Sequence, residues 1–215
     1  GKTLPDTKIK IAEDGEILLN GDHVMKGYYK NSTATDETLI DSWLFTGDVG
    51  MIDEDGFLFI TGRKKEIYVS SAGKNIAPLV IEETMKSISL ISQCYLVGDG
   101  RKYCSALFTL DIGVILRDKI GIDISQIPKD PAKQISLLTD KGYTVNDFIE
   151  DQSLIDDIQS EVDRLNGEFS NPEQLKKFSI LPRDFTIDDG ELTPTLKIRR
   201  KQIAENWSEV IESMY

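Results

Sequence analysis

Short apolar runs separated by turn residues recur from Lys8 to about residue 62. Runs of this length bounded by turn chemistry predict strands. Lys8 to Ala12 reads as one strand, Asp14-Gly15 as a turn and Glu16 to Asn20 as its partner. Val24 to Tyr29 reads as strand or loop, and Asn31 to Leu39, capped by Ser32 or Thr33, as one or two helical turns. The clearest hairpin is Val49 to Ile60, two apolar runs split by Asp53-Glu54-Asp55-Gly56. With those four residues as the loop, Ile52 faces Phe57 and Asp48 faces Thr61, so Asp48 and Arg63 share one end of a ribbon whose strands lie about 4.8 Å apart.

After Arg63-Lys64 the pattern changes to a small α+β unit. Ile67 to Ser70 predicts a strand and Ser71 to Lys74 its turn. Pro78 is a first-turn proline ahead of Ile81, Met85 and Ile88 on one helix face. Gln93 to Val97 and Tyr103 to Leu110 read as strands joined at Gly98 to Lys102, and Asp111 to Lys119 as a helix. Ile120 to Tyr143, with Pro128 and Pro131, reads as an irregular insertion with one short helix. Leu154, Ile155, Ile158, Val162 and Leu165 then form an apolar stripe opposite Asp and Glu, the mark of a core-facing helix rather than a cofactor site. Asn171-Pro172-Glu173 predicts a helix start, Phe178 to Leu181 a strand, and Gln202 to Met214 a closing helix.

The 215 residues allow one large domain or two small ones. A net charge of −12 argues against general nucleic-acid or anionic-membrane partners, since both surfaces would repel the chain. Local basic clusters at Arg63-Lys64-Lys65 and at Lys197 to Lys201 suggest anionic ligands handled locally. Cys94 and Cys104 sit in apolar runs and read as two buried reduced thiols. No apolar run approaches the ~18 residues of a membrane span, and there is no signal-peptide pattern, so a cytoplasmic protein is expected, with membrane contact peripheral at most. The single histidine, His23, has no metal-ligand partners at useful spacing and reads as a surface residue. The chain starts Gly1-Lys2 without a methionine, and a piece of a longer polypeptide is expected.

A carboxylate accepts both hydroxyls of a vicinal diol, and a guanidinium supplies forked donors, so Asp48 beside Arg63 suits a nucleotide ribose. The competing reading is a hairpin cap beside a solvated strand-end charge. Ala72-Gly73-Lys74 has part of a phosphate-loop pattern but lacks the upstream glycine and the Ser or Thr after the lysine, so a Walker site is rejected. Gly190 to Arg200 reads as a mobile loop presenting Lys197 ahead of the last helix.

Thr46-Gly47-Asp48, Gly62-Arg63-Lys64-Lys65-Glu66-Ile67 and Gly73-Lys74-Asn75-Ile76-Ala77-Pro78, in this order and spacing, resemble the acyl-adenylate-forming ligases that include acyl-CoA synthetases. The resemblance runs the length of the chain. It implies a small β-rich subdomain ending a large N-terminal domain (residues 1–64), followed by a mobile α+β C-terminal lid (residues 65–215) with a helical insertion. By the same resemblance Asp48 and Arg63 hold the adenylate ribose, and Lys65 is the hinge of the lid. Gly73 and Lys74 line the channel for the pantetheine arm of CoA, and Lys197 meets the acid's carboxylate and the α-phosphate during adenylation. No metal ligand is assigned in this chain.

Many family members carry Ser-Gly before that lysine, whereas here Thr195-Leu196 precedes it. This departure, with the long insertion after Leu110, resembles the long-chain, bubblegum-like branch. The ATP phosphate loop and the motif that contributes a Mg²⁺ ligand do not occur. The resemblance therefore implies part of an AMP-forming long-chain fatty-acid–CoA ligase that is inactive alone. Its ligands would be fatty acid, ATP or AMP and CoA, with Mg²⁺ bound mainly through a missing N-terminal domain, which is also its partner. Two alternatives stay open: an adenylating domain that loads a carrier protein, and a non-catalytic binding domain built on the lid fold.

Overall fold

The computed structural model describes residues 1–215, an α+β chain that divides into two compact units, Gly1–Tyr68 with Ala77–Val80 and Val69–Ile76 with Ile81–Tyr215. The first is built on a five-stranded sheet. Strands β1 (Lys8–Ile11) and β2 (Glu16–Asn20) form the expected Asp-Gly hairpin, with Ile11 opposite Ile17. Helix α1 (Ser32–Thr38) is capped by Asn31, whose side chain accepts from Ala34 N–H at 3.0 Å, one residue earlier than expected. Strand β3 (Leu39–Ile40) turns back onto β4 (Trp43–Ile52), the long central strand, which pairs with β2 on one side and with β3 and then β5 (Leu58–Arg63) on the other.

The β4–β5 register differs from the expected one. The turn runs to Phe57, because Asp53 and Phe57 close it twice: Asp53 N–H donates to the Phe57 carbonyl at 3.0 Å, and Phe57 N–H to Asp53 Oδ1 at 2.7 Å. Ile52 therefore faces Leu58. A bulge between Val49 and Gly50 then shifts the ladder again, so Asp48 faces Arg63 rather than Thr61. Only glycine fits the bulge, since a Cβ on Gly50 would sit 2.2 Å from the Phe59 carbonyl oxygen.

At the division between the units, β6 (Tyr68–Val69) and β7 (Asn75–Ile76) frame the short loop at residues 70–74, and α2 (Pro78–Met85) follows, its Ile81 and Met85 buried and belonging to the second unit. Strand β9 (Cys104–Leu110) is central, antiparallel to β8 (Ile91–Val97) and parallel to β10 (Leu175–Ile180). All seven of its residues are buried, as a strand covered on both faces requires. The insertion at residues 120–143 carries the one short helix expected, with a 3-10 turn before it. After α3 (Ile112–Asp118) come a 3-10 turn at Ile124–Gln126, α4 (Pro131–Asp140) and α5 (Val145–Ile149), with Asp111, Asp123 and Asp130 each accepting a backbone N–H at a helix start. Helix α6 (Gln152–Asn166) buries Leu154, Ile158, Val162 and Leu165, each contributing about 1.5–3 kcal/mol.

Two expectations fail here. Asn171-Pro172-Glu173 makes one turn and no helix. Glu173 carboxylate accepts from Ser170 N–H and Oγ–H, and Asn166 then captures both the N–H and the carbonyl of Leu175, starting β10 at once. The closing helix is broken into α7 (Arg200–Asn206) and α8 (Ser208–Ser213) at Trp207, whose indole N–H is drawn inward to Glu191 at 2.9 Å. Cys94 and Cys104 are free and buried, and burial raises both thiols, Cys104 to about 11. His23 is exposed, and no helix is long and apolar enough to cross a membrane.

Candidate functional site

In the first unit β4 must bend to bring the Thr46-Gly47-Asp48 corner to the end of β5. Gly47 supplies the bend with φ +73°, and its N–H donates to Glu16 Oε1 at 2.8 Å. Thr46 Oγ donates to the Ile17 carbonyl at 2.7 Å and accepts from Asp48 N–H at 3.1 Å. Asp48 Oδ1 accepts from Arg63 Nε at 3.0 Å, with Arg63 mostly exposed and Asp48 partly so. The remaining carboxylate oxygen and the guanidinium's terminal nitrogens thus stand side by side, an acceptor next to a donor fork. An ion pair this exposed contributes about 0–1 kcal/mol, so a ligand that re-aims it costs the fold little.

Lys64 is committed elsewhere, to Asp14 at 2.6 Å and to the buried Glu16 at 2.9 Å. Hydrogen bonding to these two carboxylates raises the lysine above its usual range, and the bond from Lys64 lowers Asp14. Lys65, next along a 3-10 turn, is exposed and has no ion pair. Arg63, Lys64 and Lys65 line an open cleft of about 650 Å³ with Tyr28, Phe45 and Gly47.

The second unit carries the other candidates. The loop at Gly73-Lys74 is closed by Ser70 N–H to the Lys74 carbonyl at 2.9 Å and by Lys74 N–H to Ser70 Oγ at 3.1 Å. Gly73 has φ +73° and open space where a Cβ would point, and Lys74 is exposed. This loop rests on the Gly98–Arg101 turn through Ser71 N–H to the Arg101 carbonyl and Gly100 N–H to the Val69 carbonyl. Arg101 is held in turn by Glu212 and lies over the Tyr215 ring.

Lys197 stands on a hairpin, not a loose loop. Leu192 pairs with Ile198, Thr193 N–H donates to the Lys197 carbonyl at 2.8 Å, and Lys197 N–H donates to Thr193 Oγ at 3.0 Å. Leu196 takes φ +60°, the left-handed conformation that glycine adopts without cost. The hairpin's base is Glu191, fully buried. Its carboxylate accepts both terminal nitrogens of Arg183 (2.7 and 3.0 Å), Trp207 Nε1, Asn206 Nδ2 and Thr186 N–H. Burial pushes this carboxyl up, but those bonds outweigh it and hold it below the usual glutamate range. Arg200 is no free cation either, since it forks onto the buried Glu82 at 2.7 Å. Lys197 itself is exposed.

The structure thus brings Asp48 and Arg63 into contact and places Lys65 beside them in sequence, with Gly73, Lys74 and Lys197 on exposed turns. The sequence reading missed Glu16, Glu82, Glu191 and Arg183. Charge alone does not flag them, because nothing in a linear sequence tells a buried carboxylate from a solvated one. No group of three or more His, Cys, Asp or Glu side chains is placed to hold a metal.

No protein-family model matches the chain. All 215 residues align at 43% identity with the long-chain-fatty-acid–CoA ligase FadD15 of Mycobacterium tuberculosis, covering 33% of that protein. The whole chain also aligns at 34% identity with the long-chain-fatty-acid–CoA ligase ACSBG1 of Homo sapiens, covering 31% of it. The chain thus spans about a third of the length of the curated relatives it matches. Among solved structures it superposes on the adenylation domain of the carboxylate reductase GR01_22995 from Mycobacterium chelonae, with TM-score 0.67, 18% identity, all of this chain and 31% of that one. It also superposes on the O-succinylbenzoate coenzyme A synthetase of Bacillus subtilis in complex with ATP and magnesium, with TM-score 0.58, 22% identity and coverages of 94% and 34%. The fold is that of the corresponding third of these enzymes.

Proposed function

We propose that this chain, homologous over its whole length to long-chain-fatty-acid–CoA ligases, works as the last β-rich subdomain and the lid of an AMP-forming ligase. The observation that carries the reading is the match over all 215 residues at 43% identity. In the reaction proposed for the whole enzyme, a fatty carboxylate oxygen attacks the α-phosphorus of ATP and the bond to pyrophosphate breaks. The thiol sulfur of CoA then attacks the acyl carbon, and the bond to the phosphate of AMP breaks.

In this reading Asp48 accepts the ribose hydroxyls and Arg63 donates to the nucleotide. The ammonium of Lys197, free at the hairpin tip, offsets the charge of the carboxylate and α-phosphate as pyrophosphate leaves. Lys65, with no ion pair to break, is the hinge, and Gly73 and Lys74 meet the pantetheine arm after the lid has turned. Mg²⁺ would neutralise phosphate charge and be held mainly outside these residues.

The test is to follow both half-reactions in the full-length ligase containing this sequence, across a ladder of fatty acids. Lys197→Ala is expected to lower adenylation on the order of 10²–10³-fold while supplied acyl-adenylate still becomes thioester. Lys65→Pro is expected to slow one half-reaction far more than the other. If AMP forms but the acyl group passes only to a carrier protein and never to CoA, the carrier-loading alternative replaces this reading. If no acid supports AMP formation, the binding-domain alternative does.

A further inference from the structure

The insertion builds a cavity that nothing in the proposed ligase chemistry uses. It holds about 500 Å³ and lies in the second unit, between α4 and α5 and the carboxyl ends of the parallel pair β9 and β10. That size is within the range of small-molecule sites, and the carboxyl ends of parallel strands are where open α/β sheets take ligands. Leu110, Ile112, Ile135, Val145, Leu181 and Pro182 supply its apolar walls.

The polar groups at its edge select by charge. All three helix starts that border it are already satisfied by groups of the chain: Asp111 accepts from Val114 N–H at the start of α3, Asp130 from Ala132 N–H at the start of α4, and Thr144 and Asp147 close a capping box at the start of α5. Arg183 borders the cavity too, but its terminal nitrogens are spent on Glu191, Asp189 and the Asp184 carbonyl. What remains is the Asp184 carboxylate. It accepts from Thr109 Oγ–H and from Ser92 Oγ–H at 3.2 Å, which leaves about half of its roughly four acceptor sites open. Burial holds this carboxyl above the usual aspartate range, and Asp111 pushes the same way. A ligand carboxylate would meet two acidic side chains and no uncommitted cation, whereas an ammonium would relieve a partly buried negative charge.

We propose that this cavity binds an amphipathic organic cation, its apolar body against the insertion helices and its ammonium donating to Asp184. The site is independent of the ligase reading. The probe is n-octylamine, protonated at neutral pH, titrated calorimetrically into the 215-residue chain beside n-octanol and octanoate of the same chain length. The expected result is one saturable site for the amine, with octanol and octanoate at least tenfold weaker. Ala132→Trp, at an exposed position on the cavity wall, should abolish the site, and Asp184→Asn should weaken it at least tenfold. Octanol binding as tightly as the amine would overturn the charge selection even if the Asn variant failed to fold. Amine binding that survives Ala132→Trp unchanged, or that never saturates, would mark a diffuse attraction to an acidic surface and overturn the site.

Discussion

Two buried glutamates, Glu16 in the first unit and Glu191 in the second, each hold one of the stretches that carry the candidate chemistry, and they do it differently. Glu16 fixes the Gly47 corner with one backbone bond and shares Lys64 with the exposed Asp14. Glu191 fixes the Lys197 hairpin with five donors from four residues, three of them distant side chains. The units differ in the same direction. In the first the buried apolar core is little more than Ile17, Leu18 and Tyr68, and Met51, Phe59 and Ile60 of the β4–β5 ribbon are exposed; the second holds nearly all the rest of the core. A buried charge is tolerable only when its acceptor sites are filled, so the better-packed unit needs the more complete set of donors.

The largest expected effect follows from that difference. Glu191→Ala strands Arg183, Trp207 and Asn206 around a void and should cost the second unit about 3–5 kcal/mol in chemical denaturation. Glu16→Ala leaves one N–H, that of Gly47, without its partner while Lys64 keeps Asp14, and should cost the first unit about 1–3 kcal/mol. Equal losses would break the comparison.

Acid should separate two carboxyls within the second unit. Glu191 is depressed in the fold, so its contribution is complete above the usual glutamate range and disappears as pH falls through the lower folded-state value. Asp184 is raised, so ionising it opposes folding, and stability falls as pH climbs from the usual aspartate value to the folded-state one. Unfolding midpoints across about pH 3 to 7 should lose the first slope in Glu191→Gln and the second in Asp184→Asn. The smallest effect is at Leu196. Glycine there relieves about 1–2 kcal/mol of left-handed strain but adds about 0.4–1 kcal/mol of unfolded-state entropy, so Leu196→Gly should stabilise by up to about 1.5 kcal/mol. A destabilised variant would mean that the Leu196 side chain contributes more than its exposed position suggests.

Much of the fold was legible because local chemistry agreed with it. The Asp-Gly turn at residues 14–15, the Pro78 helix start and the α6 stripe each pair a sequence signal with the element it favours. Where the reading failed, a distant partner had decided. The Asn171-Pro172 start was overruled by Asn166 drawing Leu175 into a sheet, and the last helix was broken by Glu191 reaching Trp207. The Asp48–Arg63 neighbourhood was foreseen, but their direct pairing required a bulge that Gly50 permits without announcing.

By itself, then, the sequence determined the alternation of elements, the surface charge and the ordered motifs from Thr46 to Pro78 and around Lys197, since these depend on residues near one another in the chain. The tertiary structure decided which charges are buried and which are free. Of the basic residues in the two clusters, Lys64 and Arg200 are consumed by buried carboxylates, while Lys65 and Lys197 stay exposed. Burial and pairing depend on what packs across tens of residues, and no local pattern encodes that.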